Sequence, residues 1–546
     1  MSEQFHRALR PGVVPRACAF AMLAFAAAHR LQAQDVSPAE QSGFDRHTTH
    51  EEMMDYLVSV RATSTDMRLA SYGESREGRE LPYAIFSRPL VSQPWEAALL
   101  GKPIVLLAAN VHGGERTLRE SLLVLIRELA TAGTPEPRLL DDLTILVAPQ
   151  INPDGFSASQ RGTRGNAWGI DLNRDYIKLE HPEIASYVGN LINGWHPHVY
   201  VDGHNGGSFP YNINYQCPSS ASPDQRITLM CDEEIFPFVD ERMHESGFKS
   251  WYYTGGTRTR WNTGGFQARI GRNYGGFANT IGILFESPGG QGLEHGVRSG
   301  LVAFKAVLEY VRDNAEDVMT TVNRARRETL AMGLAAEGEV AVDMRYGPED
   351  RRVTYEVRIG RGDTARVIEV ESDSLMKKPI PLRTRPRPYA YILPRDATDA
   401  VAMLQRHGIT VEMLEDTARI EVQAYAIGEV AYAPQYNHAA TVRIDVADVV
   451  TFERTFPRGT YVVPTGQMLG RVAAHMLEPE TDDNVVYWNA MDELVPRPRP
   501  VTSASDGAQG GDPDADGRPR RGQQGPPLVP IFKLMSPTPL PTRIIE

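Results

Sequence analysis

The sequence predicts an α/β fold, a mostly parallel central sheet flanked by helices, followed by a second, α+β region. Three observations predict it. Largely apolar runs recur at 104–109, 143–148, 198–201 and 281–285, the pattern of strands buried on both faces. After the first run, Leu118, Leu122, Leu125, Ile126 and Leu129 fall at helical spacing, and strands alternating with helices build a parallel sheet. After about residue 340 the pattern becomes the alternation of half-buried strands, as at 354–359.

In chain order, the first 34 residues read as a secretory signal. Arg7, Arg10 and Arg16 precede an apolar stretch, 17–28, that is too short to span a bilayer. A disordered start with a chance alanine run is the alternative. Cys18 lies at the front of this stretch, which argues against a lipid anchor there. Cleavage would leave Cys217 and Cys231, and export makes a disulfide between them possible beside a pair of free thiols. No later segment is apolar enough to cross a membrane, so no stable membrane insertion is expected after cleavage. The expected location is secreted or periplasmic.

Residues 35–335 read as the sheet-bearing domain. It opens with a helix at 53–60 and closes with a helix over 302–330. Residues 205–280 make a long connection holding three glycine pairs, either a functional loop or ordinary turns between short strands. Residues 336–495 form the α+β region, with strands near 354–359, 367–370, 420–426 and 441–446 and helices near 397–407 and 466–476. Residues 496–527 are a Pro/Gly-rich linker. The tail 528–546 begins apolar enough to dock back. A chain of 546 residues with 41% apolar composition supports two or three domains. Its net charge of -12 argues against a nucleic-acid partner, which requires a basic face. No motif bears on oligomeric state.

The chemistry collects at strand ends, where active sites of open α/β sheets lie. His112 and Glu115 follow the first buried run, three residues apart, with two glycines between them. They suit a zinc ion, which takes nitrogen and oxygen ligands. They also suit a plain helix N-terminus with Glu115 on the favourable side of its dipole. His204, at the end of another apolar run, offers a third ligand, and Asp202 sits where it can orient one. Glu286 ends the run 281–285. A carboxylate there is buried or lines a cleft, as a base or in an ion pair. Asn173 and Arg174 form an element able to hold a carboxylate bidentately. Arg161 and Arg164 can stabilise a developing oxyanion or can form a solvated basic loop. Arg258, Arg260, Arg269 and Arg272 form a second cluster in the long connection, either a positive patch that attracts acidic groups or arginines paired with acidic neighbours.

The strings His112-x-x-Glu115, Asn152-Pro153-Asp154-Gly155-Phe156, Arg161-Gly162-Thr163-Arg164-Gly165-Asn166, Gly169-Ile170-Asp171-Leu172-Asn173-Arg174-Asp175-Tyr176, His204 and Phe285-Glu286 together resemble the zinc carboxypeptidases of the carboxypeptidase A type over residues 45–315. The later part, from Gly459-Thr460-Tyr461 to Trp488-Asn489, resembles larger bacterial members. The resemblance implies one zinc ion on His112, Glu115 and His204, with Glu286 as base. It implies Arg161 at the oxyanion and Asn173 and Arg174 on the substrate's terminal carboxylate, and Arg164 is expected among the substrate-binding residues with them. Tyr274, with Tyr253 behind it, is the expected mobile tyrosine. Asp202-Gly203-His204-Asn205-Gly206 departs from the family pattern around the third ligand. The expected activity is a secreted metallocarboxypeptidase acting on peptides or proteins with a free C-terminus. Hydrolysis of cell-wall peptides at the same site, or a non-catalytic binding module on a degenerate peptidase scaffold, are the alternatives.

Overall fold

The computed structural model describes residues 36–496 and 527–545, apart from 209, 257–259, 351, 361–364 and 436. The expected signal segment and nearly all of the Pro/Gly-rich stretch lie outside the described residues. No helix among those described is long and apolar enough to cross a membrane.

Ten strands build the first half. They are β1 (Met67–Glu74), β2 (Glu80–Phe86), β3 (Ile104–Ala109), β4 (Thr144–Ala148), β5 (Val199–His204), β6 (Ile213–Gln216), β7 (Ser250–Tyr252), β8 (Thr254–Gly256), β9 (Trp261–Thr263) and β10 (Ile281–Glu286). Eight of them form one sheet in the order β1-β2-β4-β3-β5-β10-β6-β7. The centre, β4-β3-β5-β10, is parallel, and antiparallel strands join it on both sides at β2 and β6. The four apolar runs are these central strands.

Period-two geometry divides each run between two cores. Val105, Leu107 and Ala109 of β3 enter one cluster, with Leu122, Ile126 and Phe304 from covering helices. Ile104, Leu106 and Ala108 enter the other. That second cluster continues into Tyr391, Val401, Leu404, Val472 and Met476, so the second region covers one face of the first sheet. Burying a side chain such as Leu106 stabilises by about 1.5–3 kcal/mol. The closing helix is two helices, Leu293–Asp313 and Ala315–Ala335, broken at Asn314. Cys217 and Cys231 are joined in a disulfide.

The second region holds a seven-stranded sheet. The alternating stretches near 420–426 and 441–446 are parts of one long hairpin, Ala418–Gln435 and His438–Phe456. The tail strand Leu528–Leu534 inserts between Ala418–Gln435 and Ala390–Leu393. Its alternation divides it as well, Val529 and Ile531 into the large core and Phe532 and Leu534 into a smaller one.

Candidate metal centre and active site

Register places the site. β5 and β10 run parallel with His204 opposite Glu286, so both side chains emerge side by side at the carboxyl ends of neighbouring strands. β3 ends at Ala109, opposite Gly203 of β5. The chain then turns through Asn110, whose backbone is left-handed (φ 63). The Asn110 side chain closes the turn by donating to the carbonyls of His112 and Glu115 at 3.0 and 2.8 Å. This brings His112 and Glu115 over the end of β5. Gly113 sits so close to the backbone of Gly155 that a Cβ would collide with it, so this turn can pack only with glycine there.

His112 Nδ1 lies 2.8 Å from Glu115 Oε1, His204 Nδ1 lies 2.8 Å from Glu115 Oε2, and the two Nδ1 atoms are 3.2 Å apart. The far ring nitrogens are committed outward, His112 Nε2 to Asp171 Oδ1 at 3.0 Å and His204 Nε2 to Asp202 Oδ2 at 2.9 Å. These outer carboxylates orient the rings so that the inner nitrogens face each other. Two inward nitrogens and a carboxylate form a donor set that calls for positive charge at its centre. The titration of the group says the same. Burial opposes charge on His204, yet Asp202 and Glu115 raise its pKa well above the usual imidazole range. Burial likewise opposes charge on Glu115, yet His112 and His204 hold its pKa far below the usual carboxylate range. The set fits zinc, which takes such ligands in catalytic sites.

A cavity of about 240 Å³ opens beside this cluster. His112, Glu115, His204, Glu286, Asn173, Arg174, Arg164, Tyr253 and Arg272 all reach its wall. Glu286 is 7% exposed, and among the described residues no hydrogen bond or ion pair holds its carboxylate. Burial pushes its pKa up to about 7. Gly206 faces it so closely that a Cβ would strike Glu286 Oε2.

Residues 53–269 match the zinc carboxypeptidase family. Carboxypeptidase 2 of Trichophyton rubrum is 28% identical over 473 residues, which are 82% of this chain and 85% of that protein. Carboxypeptidase D of Mus musculus is 33% identical over 209 residues, 32% of this chain and 15% of that protein. A metallo-carboxypeptidase structure from Burkholderia cenocepacia aligns with TM-score 0.39 at 20% identity, over 48% of this chain and 69% of that one. Over residues 53–269 the chain is similar to the zinc carboxypeptidases. It is a metallocarboxypeptidase, a hydrolase of a zinc-dependent family.

Within this zinc carboxypeptidase, two sequence assignments need correction. Arg161 is exposed and off the cavity wall; the guanidinium on the wall is that of Arg164. Gly162 reverses the backbone between them at φ 68, which separates the directions of the two side chains. Arg164 Nε donates to Asp171 Oδ2 at 2.9 Å, and its Nη1 lies 3.5 Å from Glu115 Oε1. Tyr274 is also elsewhere. It is fully buried in the core on the helix Gly271–Phe277, with its hydroxyl 2.8 Å from His407 Nδ1 and accepting from Asn193 at 2.7 Å. Tyr253, between the short strands β7 and β8, takes the place on the cavity wall. Nearby Glu286 is the first reason its phenol pKa is raised.

Asn173 and Arg174 reach the cavity wall from the turn Leu172–Arg174. Asn173 Oδ1 accepts from Gly271 N at 2.9 Å, tying this turn to the segment before β10. Asp171 is the hub, bonded to His112, Arg164 and Asn173, and its own amide donates to Asn437 Oδ1 at 3.2 Å. Sequence reasoning missed Asn110 and Asn437. A non-glycine residue between strand and ligand turn was the available signal for Asn110; nothing local marks Asn437. The arginine cluster also divides. Arg258 lies outside the described residues, Arg260 is exposed, Arg269 pairs with Asp483 at 2.8 Å, and Arg272 reaches the cavity.

Proposed function

We propose that this zinc carboxypeptidase is an exported exopeptidase that hydrolyses the last peptide bond of substrates with a free C-terminus. One observation carries the reading. The three-donor cluster, the unpartnered carboxylate of Glu286, and Asn173 with Arg174 all open onto one small cavity. His112, Glu115 and His204 would hold one zinc. When bound, zinc polarises a carbonyl and makes a water more acidic.

The chain's own groups do the rest. Glu286 accepts the proton of the attacking water as the C–O bond forms. It returns that proton to the amine as the C–N bond breaks. Arg164 donates to the carbonyl oxygen as it becomes negative. Arg174, with Asn173, holds the terminal carboxylate and sets the last peptide bond against Glu286. Export rests on the basic and apolar N-terminal stretch of the sequence.

The test uses metal analysis and paired substrates. Purified protein should carry about one equivalent of zinc, the content of a three-ligand catalytic site. His204→Ala should lose both metal and activity, and full occupancy in that variant would overturn the ligand set. A peptide with a free C-terminus should be cleaved at least about tenfold faster than its C-terminal amide, since a charge-assisted contact contributes about 1.5–3 kcal/mol. Equal rates would remove the role given to Arg174.

A further inference from the structure

The cavity holds one guanidinium that the reaction does not use. Arg272 stands at the start of the helix Gly271–Phe277 and is 3% exposed. Its Nη2 donates to the carbonyl of Gly265 at 2.5 Å, and its buried Nε has no partner. Among the described residues no carboxylate pairs with it. Arg269, three residues earlier and also buried, shows how this protein treats an arginine with a structural job. It bonds Asp483 at 2.8 Å and the carbonyl of Asp482 at 2.9 Å. A buried charge without a counter-charge is costly, and the cost is removed when an anion arrives.

The rest of the cavity narrows what that anion is. Arg164 is already held by Asp171, and Arg174 with Asn173 has the terminal carboxylate to hold. Arg272 therefore offers a second positive charge in the same small space. Gly264 and Gly265 stand at the wall beside it. A Cβ on Gly264 would come within 3.2 Å of Arg272 Nη2 and narrow the approach to the guanidinium. Ile270 and Leu284 supply apolar wall in the same cavity, which suits the methylenes of a short acidic side chain. The two negative charges this arrangement receives are an α-carboxylate and a side-chain carboxylate on one residue.

We propose that Arg272 is the specificity-determining residue of this enzyme and that it selects peptides ending in glutamate or aspartate. This rests on the carboxypeptidase reading above and names the substrate class of the same site.

The zinc-loaded enzyme is assayed on one peptide series differing only in its last residue, Glu, Asp, Gln, Leu or Lys. The expected kcat/KM for Glu or Asp exceeds that for Gln by about tenfold or more, the effect of a charge-assisted contact. Arg272→Gln should abolish this ratio, so that the Glu and Gln peptides are cleaved at equal rates by the variant. Arg272→Lys should keep part of the ratio, because the charge survives and the planar fork does not. Binding gives an independent readout. N-acetylglutamate should raise the melting temperature of the metal-free wild-type protein more than N-acetylleucine, and equally little in Arg272→Gln. Cleavage of Leu or Lys peptides in preference to Glu and Asp, or equal cleavage of Glu and Gln, would overturn this inference and leave the carboxypeptidase reading intact. No cleavage of any free-ended peptide by the zinc-loaded enzyme would overturn the carboxypeptidase reading itself. The wild-type series decides the matter even if a variant folds poorly.

Discussion

Glu286 in the first half and Glu478 in the second are the same residue type, both buried, and treated in opposite ways. Glu478 is fully saturated. Tyr391 donates to it at 2.6 Å, Tyr425 donates to its other oxygen, and Lys533 pairs with it at 2.6 Å. Among the described residues Glu286 has none of this. A buried carboxylate with three donors is part of the scaffold. One left without donors is open to exchange a proton with something that enters. The contrast separates chemistry from architecture within one chain, without reference to any relative.

The sharpest way to break this comparison is to neutralise each carboxylate and measure both turnover and stability. Glu286→Gln should lower turnover by roughly 10²–10⁴ while keeping zinc and losing no stability. Near-normal turnover would move the base to another group. Glu478→Ala should do the reverse. Removing one partner strands Lys533 in the core, which costs about 3–5 kcal/mol, read as a lowered denaturation midpoint. Turnover per folded molecule should stay near wild type. A loss of turnover at full stability would mean that the second region enters the chemistry.

A smaller effect comes from pH. Burial raises the pKa of Glu286 to about 7 in the metal-free protein. The folded state therefore holds a proton that the unfolded state has already released. The contribution of this group is fully present below the ordinary carboxylate pKa and is lost as pH rises toward about 7. Metal-free wild type should lose melting temperature over that window relative to Glu286→Gln, in which the group does not titrate. Parallel melting curves across pH would show that Glu286 has a partner in solution.

Much of this contrast was legible in sequence on one side only. The convergence of His112, Glu115, His204 and Glu286 could be read because each sits at or just after the end of an apolar run, and strand ends in such sheets converge. Asn173 and Arg174 are read differently, from the bidentate chemistry of an arginine and from the resemblance, since they lie in a turn and not at a strand end. Sequence reasoning failed where direction depends on backbone detail. Arg161 and Arg164 are three residues apart, and the left-handed Gly162 between them decides which side chain reaches the cavity. Tyr274 has the right neighbours in sequence but lies on a helix packed into the core, whereas Tyr253 follows a short strand, β7, held by non-local pairing with β6. The cradle of Glu478 was not legible at all. Its partners come from Tyr391, Tyr425 and Lys533, three strands that meet only in the finished sheet. The long hairpin was read as two separate strands, because Gly428 and Pro434 interrupt the alternation along Ala418–Gln435.

The strand Leu528–Leu534 has a consequence for the order of assembly. It occupies an interior position of its sheet, between Ala390–Leu393 and Ala418–Gln435, yet it is made after both of them. During N-to-C synthesis the sheet first exists with an open slot, its two facing strands showing rows of unpaired amides and carbonyls. Until residue 533 arrives, Glu478 also lacks its lysine. The half-made sheet is then a template for any extended chain nearby, including another copy of the same tail. Closure is an intramolecular race that the tail wins by being tethered, its effective concentration set by the 30-odd residues that connect it.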